Sequence, residues 1–354
     1  WTTSPPEELW RKPIGPGCSS FAVHGDLIYT QEQRGEEEVV SCYRLSTGEA
    51  VWKYGDKARF WDSHAGAGPR STPTLHDGRV YTFGATGILN VLDAMSGGLI
   101  WSRNVAAETG MEVPEWGFSS SPLVSGNAVI VALAGTPIAY DLNSGDQRWK
   151  GEEGGTGYSS PHYFEIGGIP QVVLMNDKGA VSLVPENGSV LWEYTWPYTD
   201  RILQPAQTAD GDLVMSSGMG KGMCRLKVTH EQDKWNMEEL MTSVQLKSSF
   251  NDFVIHNDIA FGYSGPFIEC VDIVEGGRKW KSRRYGGQLM LLADQNVLVV
   301  LTEKGEVALL SATPEQFTEL GRIPAIEGKT WNHPALAGDI LLVRNSREMV
   351  AFRL

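Results

Sequence analysis

The phrase LSTGEAVW (45–52) returns along the chain as DAMSGGLIW (93–101), DLNSGDQRW (141–149), PENGSVLW (185–192) and DIVEGGRKW (272–280). With Trp10 in EELW and Trp235 in EQDKW, whose surroundings match less well, the tryptophans stand 42, 49, 48, 43, 43 and 45 residues apart. A glycine lies four residues before the indole at Gly48, Gly97, Gly145, Gly188 and Gly276, where a tight turn between strands needs a positive φ. Each phrase therefore reads as a hairpin ending in an indole. Continuing the period past Trp280 lands near Leu320, in a copy that has neither Trp nor Gly.

A second ladder precedes the first. SSFAVHGDLIYT (19–30), STPTLHDGRVYT (71–82), SSPLVSGNAVIV (120–131) and NHPALAGDILLV (332–343) are four of its eight copies. Each has apolar and β-branched residues on both sides of a Gly, Asp or Asn turn, which is the mark of a hairpin. Two hairpins per unit of about 44 residues make a four-stranded antiparallel sheet, the unit of a propeller blade. The expectation is all-β: an eight-bladed β-propeller spanning 1–354 as one domain. Trp10 lacks strands before it and the last unit lacks a Trp phrase, so the N-terminal strand completes the last blade and closes the ring, removing open sheet edges.

Composition narrows the function. A net charge of −13 over 354 residues disfavours nucleic acid, because phosphate binding rests on clustered Lys and Arg. No stretch approaches the roughly 20 apolar residues of a membrane helix. Cys18, Cys42, Cys224 and Cys270 include no CxxC and no adjacent pair, and read as free thiols packed like small apolar groups. The Gly-rich run HAGAGPR (64–70) follows no strand-to-helix pattern, so it is no phosphate loop.

The paired (S)SPxxxxGxVYV and DxxxGxxxW motifs resemble the tryptophan-docking repeat of the pyrroloquinoline-quinone-like propellers, over essentially the whole chain. GPRSTPTLHDGRVYTFGATGILNVLDAMSGGLIWSRN (68–104), EVPEWGFSSSPLV (112–124) and EGKTWNHP (327–334) are similar to a short, exported bacterial branch of that family. The resemblance implies a periplasmic or secreted monomer whose signal peptide has been removed. It implies one of two roles: a quinoprotein dehydrogenase, or a non-enzymatic scaffold such as the propeller lipoprotein of the outer-membrane assembly machine. Fold alone does not choose between them.

In a propeller, the segments before the innermost strands converge on one mouth of the central channel. This chain places its unusual residues there: Trp61, Asp62, His64 and Arg70; Trp116; Tyr158 and His162; Arg201 and Gln204; Asn251 and Asp252; Gln288; Lys329, Trp331, Asn332 and His333. Such a mixture is expected of a site for a small polar molecule, a quinone, alcohol or sugar. A quinoprotein needs an aromatic floor, cations for the carboxylates of pyrroloquinoline quinone, oxygen ligands for Ca²⁺ and a carboxylate base. Trp61, Trp116 and Trp331 are the stacking candidates, and Arg70, Arg201 and Lys329 the cations. Asn251 and Asp252, with Asp62, are the metal candidates; Asp252 or Asp62 is the candidate base, with His333 beside it. Dehydrogenases of the family are longer and often carry an adjacent-cysteine disulfide, which is missing here. The scaffold role calls instead for a protein partner in the envelope.

Overall fold

The computed structural model describes residues 1, 4–196, 202–218 and 221–354. Eight four-stranded antiparallel sheets follow one another along these residues. Blade 1 is Ala22–His24, Leu27–Arg34, Glu37–Arg44 and Ala50–Asp56, paired in chain order from the innermost strand outward. Blades 2 to 7 begin at Thr74, Leu123, His162, Ala206, Phe253 and Gly287. Blade 8 takes three strands from the C-terminus, Ala335–Ala337, Ile340–Arg344 and Glu348–Arg353, and its outer strand Glu7–Pro13 from the N-terminus. Glu7 stands opposite Arg353 and Pro13 opposite Glu348, so the ring closes as the two ladders require.

The burial pattern explains the strand types. In Ala128–Leu133 every residue is buried, because a middle strand is covered on both faces by neighbouring blades and so reads as a continuous apolar run. In the outer strand Leu99–Asn104 only Trp101 is buried. The register slips immediately before that tryptophan: Val91 faces Trp101, and Leu92 then faces Leu99. Such a bulge increases local twist and recurs at Trp10, Trp52, Trp149, Trp192 and Trp280.

The same register position is Met241 in blade 5 and Gly321 in blade 7. Trp235 therefore does not belong to the ladder. The outer hairpin of blade 5 has ten-residue strands, and Trp235 sits near its tip, opposite His230 with ring centroids 4.5 Å apart. Spacing alone could not separate an indole at the tip from one at the bulge. The extrapolation to Leu320 falls one residue short of Gly321.

At the face opposite the channel mouth the indoles reach the next blade. Nε1 of Trp10 donates to the Leu45 carbonyl at 2.7 Å, and those of Trp52, Trp101 and Trp149 to Ala94, Leu142 and Pro185 at 3.0 Å. Nε1 of Trp280 donates to Thr313 at 2.8 Å. Trp192 differs, donating to Gln171 Oε1 in its own blade at 2.8 Å. The glycine of the phrase has a second reason beside its φ of +71° at Gly97: a Cβ there would lie 2.5 Å from Trp52 Cδ2.

Candidate functional site: the channel mouth

The serines and threonines of the second ladder join the blades around the mouth. Ser20 N donates to Thr72 Oγ1 and Thr72 N to Ser121 Oγ, both at 3.0 Å, and Ser121 N donates to Ser160 Oγ at 2.9 Å. Ser20 Oγ donates back to the His333 carbonyl at 2.8 Å. This hydroxyl belt runs from blade 8 through blade 4. Two asparagines extend it: Asn332 Nδ2, on a side chain only 3% exposed, donates to Gly17 O and Ser19 O at 2.9 and 2.8 Å, and Asn251 Nδ2 donates to Gly287 O. Both are committed to backbone carbonyls. The belt went unassigned at the level of sequence, although the recurrent Ser-Ser-Pro and Ser-Thr-Pro were its trace.

Above the belt, aromatic rings meet across the mouth. Trp116, before blade 3, lies 5.0 Å from Tyr158, before blade 4, and 5.5 Å from Phe250, before blade 6. His64 closes on the edge of Trp116 at 6.0 Å. These contacts join rings from before blades 2, 3, 4 and 6 into an aromatic lid over that part of the mouth. Phe250, which the repeat phase also sends to the mouth, is 59% exposed, and Trp61 is 62% exposed on the excursion between blades 1 and 2. Two polar atoms at the lid have no partner among the described residues: Trp116 Nε1 and Gln288 Oε1. Gln288 Nε2 is engaged, donating to Phe250 O and Trp331 O at 3.3 Å.

The excursion is pinned by an internal ion pair. Arg70 bonds Asp62 directly, and its guanidinium also donates to Gly66 O and Gly68 O at 2.7 and 2.8 Å. The Asp62 carboxylate accepts from the amides of His64 and Ala65 at 2.7 and 2.8 Å. Burial alone would raise the pKa of Asp62, but the Ala65 amide, Arg70 and the His64 amide outweigh it and hold the carboxyl below its ordinary value. Lys329 is also engaged: its Nζ sits 3.3 Å from the centroid of Trp331 and donates to His64 O at 2.6 Å.

Beneath the lid, Asp252, His333 and His162 come from the starts of blades 6, 8 and 4. Burial drives Asp252 toward its proton-bound form, against the attraction of His333 and His162. Burial likewise drives His333 toward the neutral ring, against Asp252. His162 is solvent-accessible yet enclosed by protein, and its pKa is lowered by that enclosure, with Asp252 opposing. The Asp252 carboxylate accepts from the Phe253 amide at 2.8 Å and has no Lys or Arg partner among the described residues. Gln204 stands half-buried before blade 5, and Arg201 lies outside the described residues.

A family model described as outer membrane protein assembly factor BamB matches residues 55–259. The chain belongs to that family. Solved structures with the same architecture include BamB from Moraxella catarrhalis, at TM-score 0.74 and 17% identity over 99% of this chain and 98% of that one. Quinohemoprotein alcohol dehydrogenase from Comamonas testosteroni follows at 0.71 and 12%, over 98% of this chain and 76% of that one. The C-terminal WD40 domain of Sif2 stands at 0.64 and 10%, over 99% and 98%. At such identities the likeness carries the fold and no activity. No curated protein sequence matches the chain.

Within this BamB-type propeller the described residues do not fit pyrroloquinoline quinone with Ca²⁺. Arg70 is already occupied by Asp62 and the Gly66 and Gly68 carbonyls. Asn251 is tied to Gly287, and no group of three His, Cys, Asp or Glu suited to a metal occurs among the described residues. Trp116, one of the stacking candidates, is packed against Tyr158 and Phe250.

Proposed function

We propose that this chain, acting over 1–354 as one domain, is a non-enzymatic interaction scaffold of the bacterial envelope, exported and periplasmic, which holds a protein partner against its mouth face. The observation that carries the reading is the aromatic cluster at the mouth, with the neighbouring Arg70–Asp62 pair already closed on itself. Arg70, Asp62 and Asn251 are spent on the protein itself, while Trp61 and Phe250 stay exposed around the mouth, and exposed aromatics on a rigid face are the usual anchors of a protein interface. Family membership supports it, since the matching model is described as an assembly factor. The indoles of the repeat serve in this reading as docking elements between blades.

The test has two arms. The thermal midpoint with and without pyrroloquinoline quinone plus Ca²⁺ stays unchanged; a clear rise at ligand well above micromolar, as mass action requires of a ligand binding only the folded state, overturns the scaffold reading. A photo-crosslinking residue at Phe250 captures one envelope protein in cells, whereas the same residue at Met95, exposed on the opposite face, captures none. Equal capture from both positions removes the mouth as the docking face.

A second reading has one observation in its favour. The unpaired Trp116 Nε1 and Gln288 Oε1 offer a donor and an acceptor at the lid, which suits a small polar ligand such as a sugar once the lid parts. Retention of an oligosaccharide by the native protein and its loss in Trp116→Phe supports it.

A further inference from the structure

Beside the lid, between blades 8 and 1, lies a cleft of about 270 Å³. Trp331 lines it beside the buried Asn332, which is bonded to Gly17 O and Ser19 O. Two cations stand on its walls, Lys329 and Arg347, against one carboxylate, Glu327. An ammonium has three donors, and the contacts of Lys329 use one of them, on His64 O. Arg347 is held on a firm turn: its amide donates to Asn345 Oδ1 and its carbonyl accepts from Ile14 N, both at 2.9 Å. Its guanidinium has no carboxylate within 4.0 Å among the described residues and is exposed. On a molecule of net charge −13, two cations against one carboxylate leave this apolar cleft with a positive balance.

We propose that this cleft captures the free C-terminal carboxylate of an extended partner polypeptide, with the terminal apolar side chain on the face of Trp331. Arg347 offers the planar fork that carboxylates favour, and Lys329 adds its two spare donors. A cleft of about 270 Å³ suits one apolar side chain with its own carboxylate, which a chain end supplies on one residue and an internal acidic residue does not. The inference rests on the mouth face being the partner-binding face and names the chemistry of that contact.

Calorimetry with acetyl-Gly-Gly-Ser-Gly-Phe as the free acid shows binding to the native protein. The C-terminal amide of the same peptide, and an amidated peptide with an internal Glu, bind at least tenfold more weakly. Arg347→Met weakens the free acid at least tenfold with an unchanged thermal midpoint, since no other side chain among the described residues depends on that guanidinium, and Lys329→Met weakens it as well. Equal binding of acid and amide, equal binding of the internal Glu peptide, absence of binding at several millimolar acid, or full affinity in Arg347→Met each overturns the proposal. If these fail while Phe250 still crosslinks its partner, the cleft is excluded and the scaffold reading stands.

Discussion

The two ends of the propeller solve the same joining problem in different ways. At the face away from the mouth, one device recurs blade after blade: an indole at a bulge covers a glycine of the next blade and donates to a neighbouring carbonyl. At the mouth only the belt of hydroxyls recurs, and each blade adds a different residue above it. Repetition marks the end that holds the ring together, and variety marks the end free to become a surface. His24 and His76, in inner turns of the repetitive face, are exposed and belong to no site.

The largest effect that would sharpen this contrast comes from Trp101→Ala set against Trp235→Ala. Trp101 is buried in the interblade core and hydrogen-bonded to Leu142, so its truncation costs roughly 3–5 kcal/mol. Denaturant unfolding that shows equal losses for the two would break the assignment of Trp235 to a hairpin tip. Gly97→Ala is next, at about 2–4 kcal/mol, because a Cβ would meet Trp52 in a backbone held at φ +71°. Its neighbour Gly98, with only Ser96 Oγ nearby at 3.2 Å, should tolerate alanine with less than about 1 kcal/mol lost.

At the mouth end, Glu38 gives a pH-dependent contrast. It is buried against the blade 2 turn, accepting from Ala85 N at 3.1 Å and Thr86 Oγ1 at 3.2 Å. Burial pushes its carboxyl up to about 7, against those two hydrogen bonds and with nearby Asp56 adding to the rise. The folded state therefore holds a proton that the unfolded chain releases near 4.5, so this group's contribution to stability falls as pH rises from about 4.5 to 7. Glu38→Gln should remove that fall and leave the variant up to about 3 kcal/mol more stable than the native protein at pH 8. Parallel pH profiles of the two proteins would show that Glu38 is already ionised in the fold. A smaller loss than at Trp101 is expected from Trp235→Ala itself, about 1–2 kcal/mol, since Trp235 is only half-buried, against His230 and the edge of the core cluster that holds Trp192 and Val228.

The fold was legible because the period of the indoles and the turn glycines is a local property that survives in one dimension. The ring closure was legible for the same reason, from the incomplete units at the two ends. The blade 5 error shows the limit: Trp235 keeps the period, but a register set by a long hairpin puts Met241 at the bulge. The candidate site was legible as a place and not as a set of roles. Repeat phase sent Asp62, Arg70, Asn251, Asn332 and Lys329 to the mouth, yet it could not show that each had already found a partner there.

By itself the sequence determined an all-β ring of eight blades, its closure by the N-terminal strand and the end at which unusual residues collect, since these follow from periodicity and turn chemistry. Tertiary structure alone decided that the aromatics of blades 3, 4 and 6 meet as a lid, that Asp252 lies among histidines from blades 4 and 8, and that Lys329 and Arg347 share a cleft. The reason is geometric: a closed ring brings together residues hundreds of positions apart, and whether two such side chains touch depends on distances across the channel that no local pattern encodes.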